Sequence, residues 1–330
     1  MHFFNLKFID MIYGNEIALR RRFVKDYNLP INIVDSPYFE YYMRTYDWFP
    51  KKEYENLVKD IDERFDGNIN AWLEEYAQIR DKIITFVENS NSYKKFNSCD
   101  MNQFAIPDEL KNIPDLNIYN QSSVGKKFLS IDLKKANFQA LSHFDDNIVL
   151  KAESYEDFIG MWCDSEYFKN SKYTRQVIFG KLNPKRTITY EKWLMSQIKE
   201  KFESEFGTRN LKLIAFKSDE IIYEILGDND VETWEHDVEV VMLDSGYDVR
   251  VEIFTVGRME CKNHNDVTVD CYIRQCHTTG KETLKSASQI FYPQFYKFWK
   301  NIRANCYDYA FLAEGQIAHF EFPLELVAIY

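Results

Sequence analysis

From position 53 to 90 apolar residues recur at helical spacing, first Leu57, Ile61 and Phe65, then Trp72, Tyr76, Ile79 and Ile83. The break at Asp66-Gly67-Asn68 predicts two amphipathic helices joined by a turn. Upstream, Asp35-Ser36-Pro37 predicts the start of a helix carrying Tyr38, Phe39, Tyr42 and Tyr46, with Pro50 ending it. The stretch 91–124 is rich in Asn, Ser, Asp and Pro, including Pro107 and Pro114, and without a sustained period it reads as a connector.

The pattern then changes. In Phe128-Leu-Ser-Ile-Asp-Leu133, Leu129, Ile131 and Leu133 share one face and Ser130 and Asp132 the other, which predicts a strand with an acidic residue near its end. A helix with Ala136, Ala140, Leu141 and Phe144 inward is expected next, then helical patterns over 155–162, 173–182 and 190–206. Residues 211–216 and 221–225 flank the polar Lys217-Ser218-Asp219-Glu220 and predict a hairpin with carboxylates at its tip. Short β runs are expected at 238–243, 249–256 and 267–273, then an aromatic helix over 286–301 and a strand-like tail. No internal repeat is evident.

Composition narrows the function classes. The 330 residues contain 26 Phe, 22 Tyr and 6 Trp but only 11 Gly, which excludes collagen-like and low-complexity architectures; neither GxGxxG nor GKS/GKT occurs. The apolar stretch from Phe3 to Tyr13 is interrupted by Lys7 and Asp10, so neither a cleaved export signal nor a membrane span is expected, and the expected location is cytoplasmic. Abundant Asn, Lys and Ile suit an AT-rich genome such as a phage's, in which case the cytoplasm is the host's. Six cysteines then read as reduced thiols. Cys261, His264, Cys271, Cys276 and His277 fit no standard zinc spacing, and Val267, Val269, Cys271 and Ile273 fall on one face of a strand. The aromatic cluster from Tyr38 to Phe49 reads as packing more readily than as a base-stacking platform.

The net charge of −11 argues against a nonspecific nucleic-acid coat, but it is unevenly spread. Residues 1–124 carry −5, residues 125–217 carry +5 and residues 218–330 carry −11. Within the basic middle third, Asp132 and Asp219 are delivered by two strand ends, with Glu220 as a third carboxylate. Paired carboxylates are what a two-metal phosphoryl-transfer site requires, since Mg²⁺ or Mn²⁺ takes hard oxygen ligands. Between them lie Lys172, Arg175, Lys181, Lys185 and Arg186, cations suited to a triphosphate.

The order and wording of three blocks resemble the palm of family A DNA polymerases. Asp132-Leu-Lys-Lys-Ala-Asn-Phe-Gln-Ala-Leu-Ser-His143 resembles the first motif, DYSQIELRVLAH; Arg175-Gln-Val-Ile-Phe-Gly180 resembles the nucleotide-binding helix motif, K-x-x-N-F-G; Lys217-Ser-Asp-Glu-Ile-Ile-Tyr-Glu-Ile225 resembles the third, VHDELVFEV. The resemblance covers about thirty residues in the family's order, with intervals of 43 and 44 residues from Asp132 to Arg175 and from Arg175 to Asp219, so the fingers are reduced. It implies metal ligation by Asp132 and Asp219, an acidic partner in Glu220, triphosphate binding by Arg175 with Lys172 and Lys181 beside it, and Phe179 near the incoming base. Asn137 stands where the family has the glutamate that excludes a ribose 2′-OH, Ser171 at the upstream arginine position, Asn183 and Pro184 where Tyr and Gly close the helix motif, and Ser218 for the histidine of the third motif.

The expected fold is therefore α+β, a palm-like antiparallel sheet with packed helices. Its divisions are a helical, thumb-like or accessory N-terminal region (1–124), a palm-like core (125–260) and a C-terminal α/β extension (261–330). The expected activity is Mg²⁺- or Mn²⁺-dependent nucleotidyl transfer from a nucleoside triphosphate to an acceptor hydroxyl, with a nucleic-acid primer or template as partner and no membrane. The alternative is a non-catalytic palm scaffold, a binding or regulatory factor in nucleic-acid replication or host interaction, meeting a protein partner through the acidic last third. A third reading is a template-independent transferase.

Overall fold

The computed structural model describes residues 16–113, 117–227, 234–262, 268–320 and 325–329. Helix α1 (residues 16–26) precedes α2 (Tyr38–Thr45), α3 (Lys51–Phe65), α4 (Ile69–Asn89), α5 (Asn91–Ser98) and the short α6 (Asp108–Lys111). Strand β1 (Lys127–Leu133) leads into α7 (Ala136–Phe144), α8 (Tyr155–Gly160), α9 (Glu166–Asn170), α10 (Lys172–Gly180) and α11 (Pro184–Phe206). The chain continues through β2 (Leu211–Phe216), β3 (Glu220–Ile225), α12 (Trp234–Asp244), β4 (Val249–Lys262), β5 (Thr268–Cys276), β6 (Glu282–Lys285), α13 (Tyr292–Trp299), β7 (Ala310–Ala313), β8 (Gln316–His319) and β9 (Glu325–Ile329).

Local chemistry sets these boundaries. Between α3 and α4, Asp66 and Gly67 take left-handed backbone (φ 49° and 76°), and the Asn68 side chain accepts from the Ala71 N–H to cap α4. Pro184 occupies the first turn of α11, where its missing N–H costs nothing, so that helix starts six residues earlier than its apolar period suggests. The connector expected over 91–124 contains a helix after all, α5, capped by Ser90 and buried through Tyr93 and Phe96. Pro50 does not end α2; it precedes α3, while α2 stops at Thr45.

Seven strands form one antiparallel sheet in the order β2-β3-β1-β4-β5-β6, with β9 also paired to β4; β7 and β8 form a separate hairpin. The chain is thus α+β. Leu129, Ile131 and Leu133 of β1 join Ile221, Tyr223, Val249, Val251 and Ile253 in a core continuous with the helices of the first third. On the opposite face Phe128, Ile222, Phe254, Val256 and Tyr272 are covered by Ile118, Tyr119 and Val124.

Two expectations fail here. Residues 238–243 are not a strand but belong to α12, with Glu235, Val238 and Met242 buried at helical spacing. Glu235 accepts from the Ile253 N–H and Glu239 from the Val251 N–H (2.9 Å), so α12 covers the edge of β4 that β5 does not reach. A division after residue 260 would cut β4, and β5, β6 and β9 belong to the same sheet as β1, so 261–330 is not a detached extension. The aromatic helix is confined to α13, because Ser286 adopts φ 61° and Pro293 sits in the first turn.

The Tyr38–Phe49 cluster is packing. Tyr46 stacks with Tyr42 and meets Tyr292 and Tyr296 edge-on, and Tyr41 donates to Asp308, joining the first helices to the last quarter of the chain. Cys261 and Cys271 face one side of the sheet with Met259 and Ile273, whereas the register places Cys276 on the other, so these thiols do not converge. His264 and Val267 lie outside the described residues.

Candidate active site

Three chain segments meet at one end of the sheet. β1 ends there, the β2–β3 hairpin turns there, and β4 begins there. The Leu133 N–H donates to the Asp219 carbonyl (2.7 Å), the Lys134 N–H donates to the Asp248 carbonyl (3.0 Å), and Lys217 N–H to Glu220 carbonyl (2.8 Å) closes the hairpin. Lys135, in left-handed conformation at φ 51°, swings the chain into α7. The Gln139 amide then donates to the carbonyls of Lys134 and Asp248 and accepts from the Asp248 N–H, fastening α7 to β4.

In this register Asp132 lies directly opposite Glu220 on one side and Arg250 on the other, all on one face. Asp132 Oδ2 accepts from Arg250 Nη2 at 3.0 Å, and its side chain is 27% exposed. Burial pushes its carboxyl up to about 6 against the pull of Arg250, and the negative charges of Glu220, Asp219 and Glu252 add to the rise. Asp219, at the hairpin tip, is exposed, and its carboxylate accepts a long hydrogen bond from Ser218 Oγ (3.4 Å). The two predicted carboxylates are therefore neighbours that repel each other, which is the electrostatic condition a divalent cation relieves.

Glu220 differs from them. It accepts from Ser130 Oγ (2.7 Å), pairs with Lys217 (3.0 Å) and lies 4.0 Å from Arg274. Burial alone would raise its carboxyl, but Lys217, the Ser130 hydroxyl and Arg274 hold it below the ordinary value. Its oxygens are thus committed to the protein. Arg274 also pairs with Glu252 and sits 3.8 Å above the Phe254 ring, extending a stripe of alternating charge down the sheet face.

Above this end stands Arg175 on α10. Its Nε is buried without a hydrogen-bond partner and it forms no ion pair among the described residues. Its guanidinium lies over the Tyr155 ring at 5.6 Å. Burial lowers its basicity, opposed by Tyr155, Glu156 and Asp132, so it senses the same carboxylate that Arg250 binds. Lys172, on the first turn of α10, is exposed.

The remaining predicted residues fall elsewhere or act differently. Phe179 is 1% exposed among Phe138, Tyr155 and Phe158, so it is a core ring and cannot stack on a base. Lys181, at the far end of α10, lies beside Asp81 of α4, and Arg186 donates to the Phe96 and Cys99 carbonyls as a clamp on α5. Asn137 donates to Glu191 Oε1 at 2.9 Å. Glu191 on α11, absent from the sequence-based set, is only 3% exposed, and burial with the charge of Asp219 pushes its carboxyl up to about 7 against the Asn137 hydrogen bond. An acidic residue within the buried stripe of α11 was the signal that marked it.

No group of three or more His, Cys, Asp or Glu side chains converges into a ready cage among the described residues. Mg²⁺ is commonly held by one or two carboxylates plus substrate phosphates and water, so the Asp132–Asp219 donor set fits that ion. A cavity of about 250 Å³ adjoins the same segments, lined by Lys134, Lys135, Gln139, His143 and Tyr155. No family model, no curated protein and no solved structure matches the chain. Among the described residues no helix is long and apolar enough to cross a membrane.

Proposed function

We propose that the chain is a nucleotidyltransferase with a reduced, palm-like catalytic core. The observation that carries this reading is the meeting of Asp132 and Asp219, 87 positions apart in sequence, at one end of an antiparallel sheet beneath the unpaired guanidinium of Arg175. Asp132 and Asp219 would hold Mg²⁺ or Mn²⁺. When bound, that ion makes an acceptor hydroxyl more acidic and offsets charge on the departing pyrophosphate. Arg175, having no carboxylate of its own, is free to take phosphate oxygens of a nucleoside triphosphate, with Lys172 adding charge at the mouth. The acceptor oxygen bonds to the α-phosphorus, the bond to the β-phosphate oxygen breaks, pyrophosphate leaves and the hydroxyl proton passes to water. Asn137 donates to Glu191, whose carboxyl feels the charge of Asp219. Sugar choice and template dependence are substrate properties that the same assay reads.

The test is extension of a labelled primer, with and without template, in Mg²⁺ and either deoxy- or ribonucleoside triphosphates. Wild type should extend, and Asp132→Asn and Asp219→Asn should lose extension while keeping their circular dichroism. Extension by either variant at the wild-type rate, or none by wild type under any of these conditions, overturns the reading.

One observation favours a second reading. Arg250 already occupies Asp132 at 3.0 Å, an internal cation where a catalyst needs a free carboxylate. A non-catalytic scaffold that binds a protein through its acidic last third would show no thermal shift with Mg²⁺ plus triphosphate and would form a stable complex with that partner.

A further inference from the structure

The candidate metal ligand Asp132 already has a cation beside it. In the β1–β4 register it stands directly opposite Arg250, and Glu252, two residues on, projects from the same face. The Arg250 guanidinium reaches both carboxylates. Its Nη2 donates to Asp132 Oδ2 at 3.0 Å, while its Nε lies 3.9 Å from Glu252 Oε1, beyond hydrogen-bond distance. One side chain is thus bonded to Asp132 and placed next to a second acceptor.

Arg274, on the neighbouring strand β5, shows how this face holds an arginine that serves structure. Its side chain is 14% exposed, its Nη2 donates to Glu252 Oε2, and its guanidinium lies 3.8 Å from the centre of the Phe254 ring. Burial, a ring and a carboxylate confine it. Arg250 is held far more loosely: its side chain is 54% exposed, no aromatic ring lies against it among the described residues, and its bond to Asp132 is single where a committed arginine grips a carboxylate with two. An ion pair this open to solvent is weak, so moving it costs little. Because Arg274 takes Glu252 Oε2, the other oxygen is turned toward Arg250.

We propose that Arg250 keeps the metal's place: it holds the Asp132 carboxylate in the metal-free chain and swings onto Glu252 when a divalent cation takes Asp132 and Asp219. Arg250 brings one positive charge to a crowded acidic end of the sheet, and only an ion carrying more charge gains by replacing it. The guanidinium thereby sets the affinity of the site and keeps Asp132 oriented until the ion arrives. The inference rests on Asp132 and Asp219 being the metal's ligands, as in the reading above, and does not need nucleotidyl transfer itself.

The experiment is titration of the full chain with Mn²⁺ alone, without triphosphate, followed by electron paramagnetic resonance of the free ion, with circular dichroism checking the fold of each variant. Wild type should bind and Asp132→Asn should not. Arg250→Gln should bind about tenfold more tightly, because the competing cation is gone, and Arg250→Lys should stay close to wild type. Glu252→Gln should weaken binding about threefold in the wild-type background, where Arg250 loses its second partner, and by less in the Arg250→Gln background, so that the two effects couple. Should Glu252→Gln, which also frees Arg274, fail to fold, Arg250→Gln and Arg250→Lys carry the test. Equal or weaker Mn²⁺ binding by Arg250→Gln, a gain that persists when Asp132 is also replaced by Asn, or a Glu252→Gln effect of the same size in both backgrounds overturns the proposal and leaves nucleotidyl transfer standing. Tighter binding by Arg250→Gln with no primer extension by wild type removes the catalytic reading alone. No Mn²⁺ binding by either wild type or Arg250→Gln overturns both.

Discussion

Replacing Asp132 with Asn should make the protein more stable at pH 8 while removing the proposed chemistry. The folded state lifts the Asp132 carboxyl from 3.8 to about 6. Two pH units correspond to about 3 kcal/mol, at 1.36 kcal/mol each. The sign follows from linkage: the folded chain binds the proton more tightly than the unfolded chain, so above pH 6 the ionised carboxylate costs the native state that energy. As pH falls toward 4 the cost disappears. Asparagine is neutral throughout and still offers Arg250 Nη2 an acceptor oxygen. Because the side chain is 27% exposed, solvent screening trims the gain to about 2 kcal/mol. With an unfolding entropy of about 2.1 cal/mol/K per residue over 330 residues, Tm should rise by about 3 °C.

Urea unfolding followed by tryptophan fluorescence at pH 8, 6 and 4 measures this directly. The variant should lead at pH 8, lead by less at pH 6 and match wild type at pH 4. Added Mg²⁺ should narrow the pH 8 gap by stabilising wild type alone, because the pair of carboxylates is intact only there. A variant less stable than wild type at pH 8, or a gain that persists unchanged at pH 4, refutes the argument that like-charge crowding and burial strain this site.

Glu191→Gln should behave in parallel, gaining about 3 kcal/mol at pH 8 and losing the advantage below about pH 5, because this carboxyl is raised from 4.5 to about 7 and loses its folded-state cost as it protonates; urea midpoints against pH check it. Phe179→Ala should cost about 4 kcal/mol of stability, the usual loss for a buried ring, rather than selectively weakening nucleotide affinity; a stable variant with weakened triphosphate binding would return Phe179 to the site. Arg186→Ala should cost about 2 kcal/mol by freeing the Phe96 and Cys99 carbonyls, with extension per folded molecule unchanged.

What the sequence showed and what it hid follow from the range of the interactions. Period-2 and period-3.6 patterns are local, so β1, the β2–β3 hairpin, α3, α4 and α7 were legible, as was the acidic residue near the end of β1. Where a period was ambiguous, tertiary context decided. The run Val238-Glu239-Val240-Val241 alternates like a strand, yet it forms α12 because Glu235 and Glu239, one turn apart, satisfy N–H groups that β4 leaves open. The aromatic stripe of α10 was read as a binding face at Phe179 and is instead its core face, while Arg175, four residues back, leans toward Asp132.

The partners of the candidate carboxylates were hidden for a different reason. Arg250 and Arg274 reach Asp132 and Glu220 only through strand register, and Glu191 reaches Asp219 only because α11 crosses the same sheet end. None has a sequence spacing to betray it. Register also separates the three carboxylates that the sequence grouped together. Glu220 is held low by Lys217, Ser130 and Arg274 and behaves as structure, whereas Asp132, though paired with Arg250, is still pushed up by burial and by the charges of Glu220, Asp219 and Glu252. Keeping Asp132 raised at this end of the sheet lowers stability, and a cost that a bound cation would relieve is the physical argument for the proposed function there.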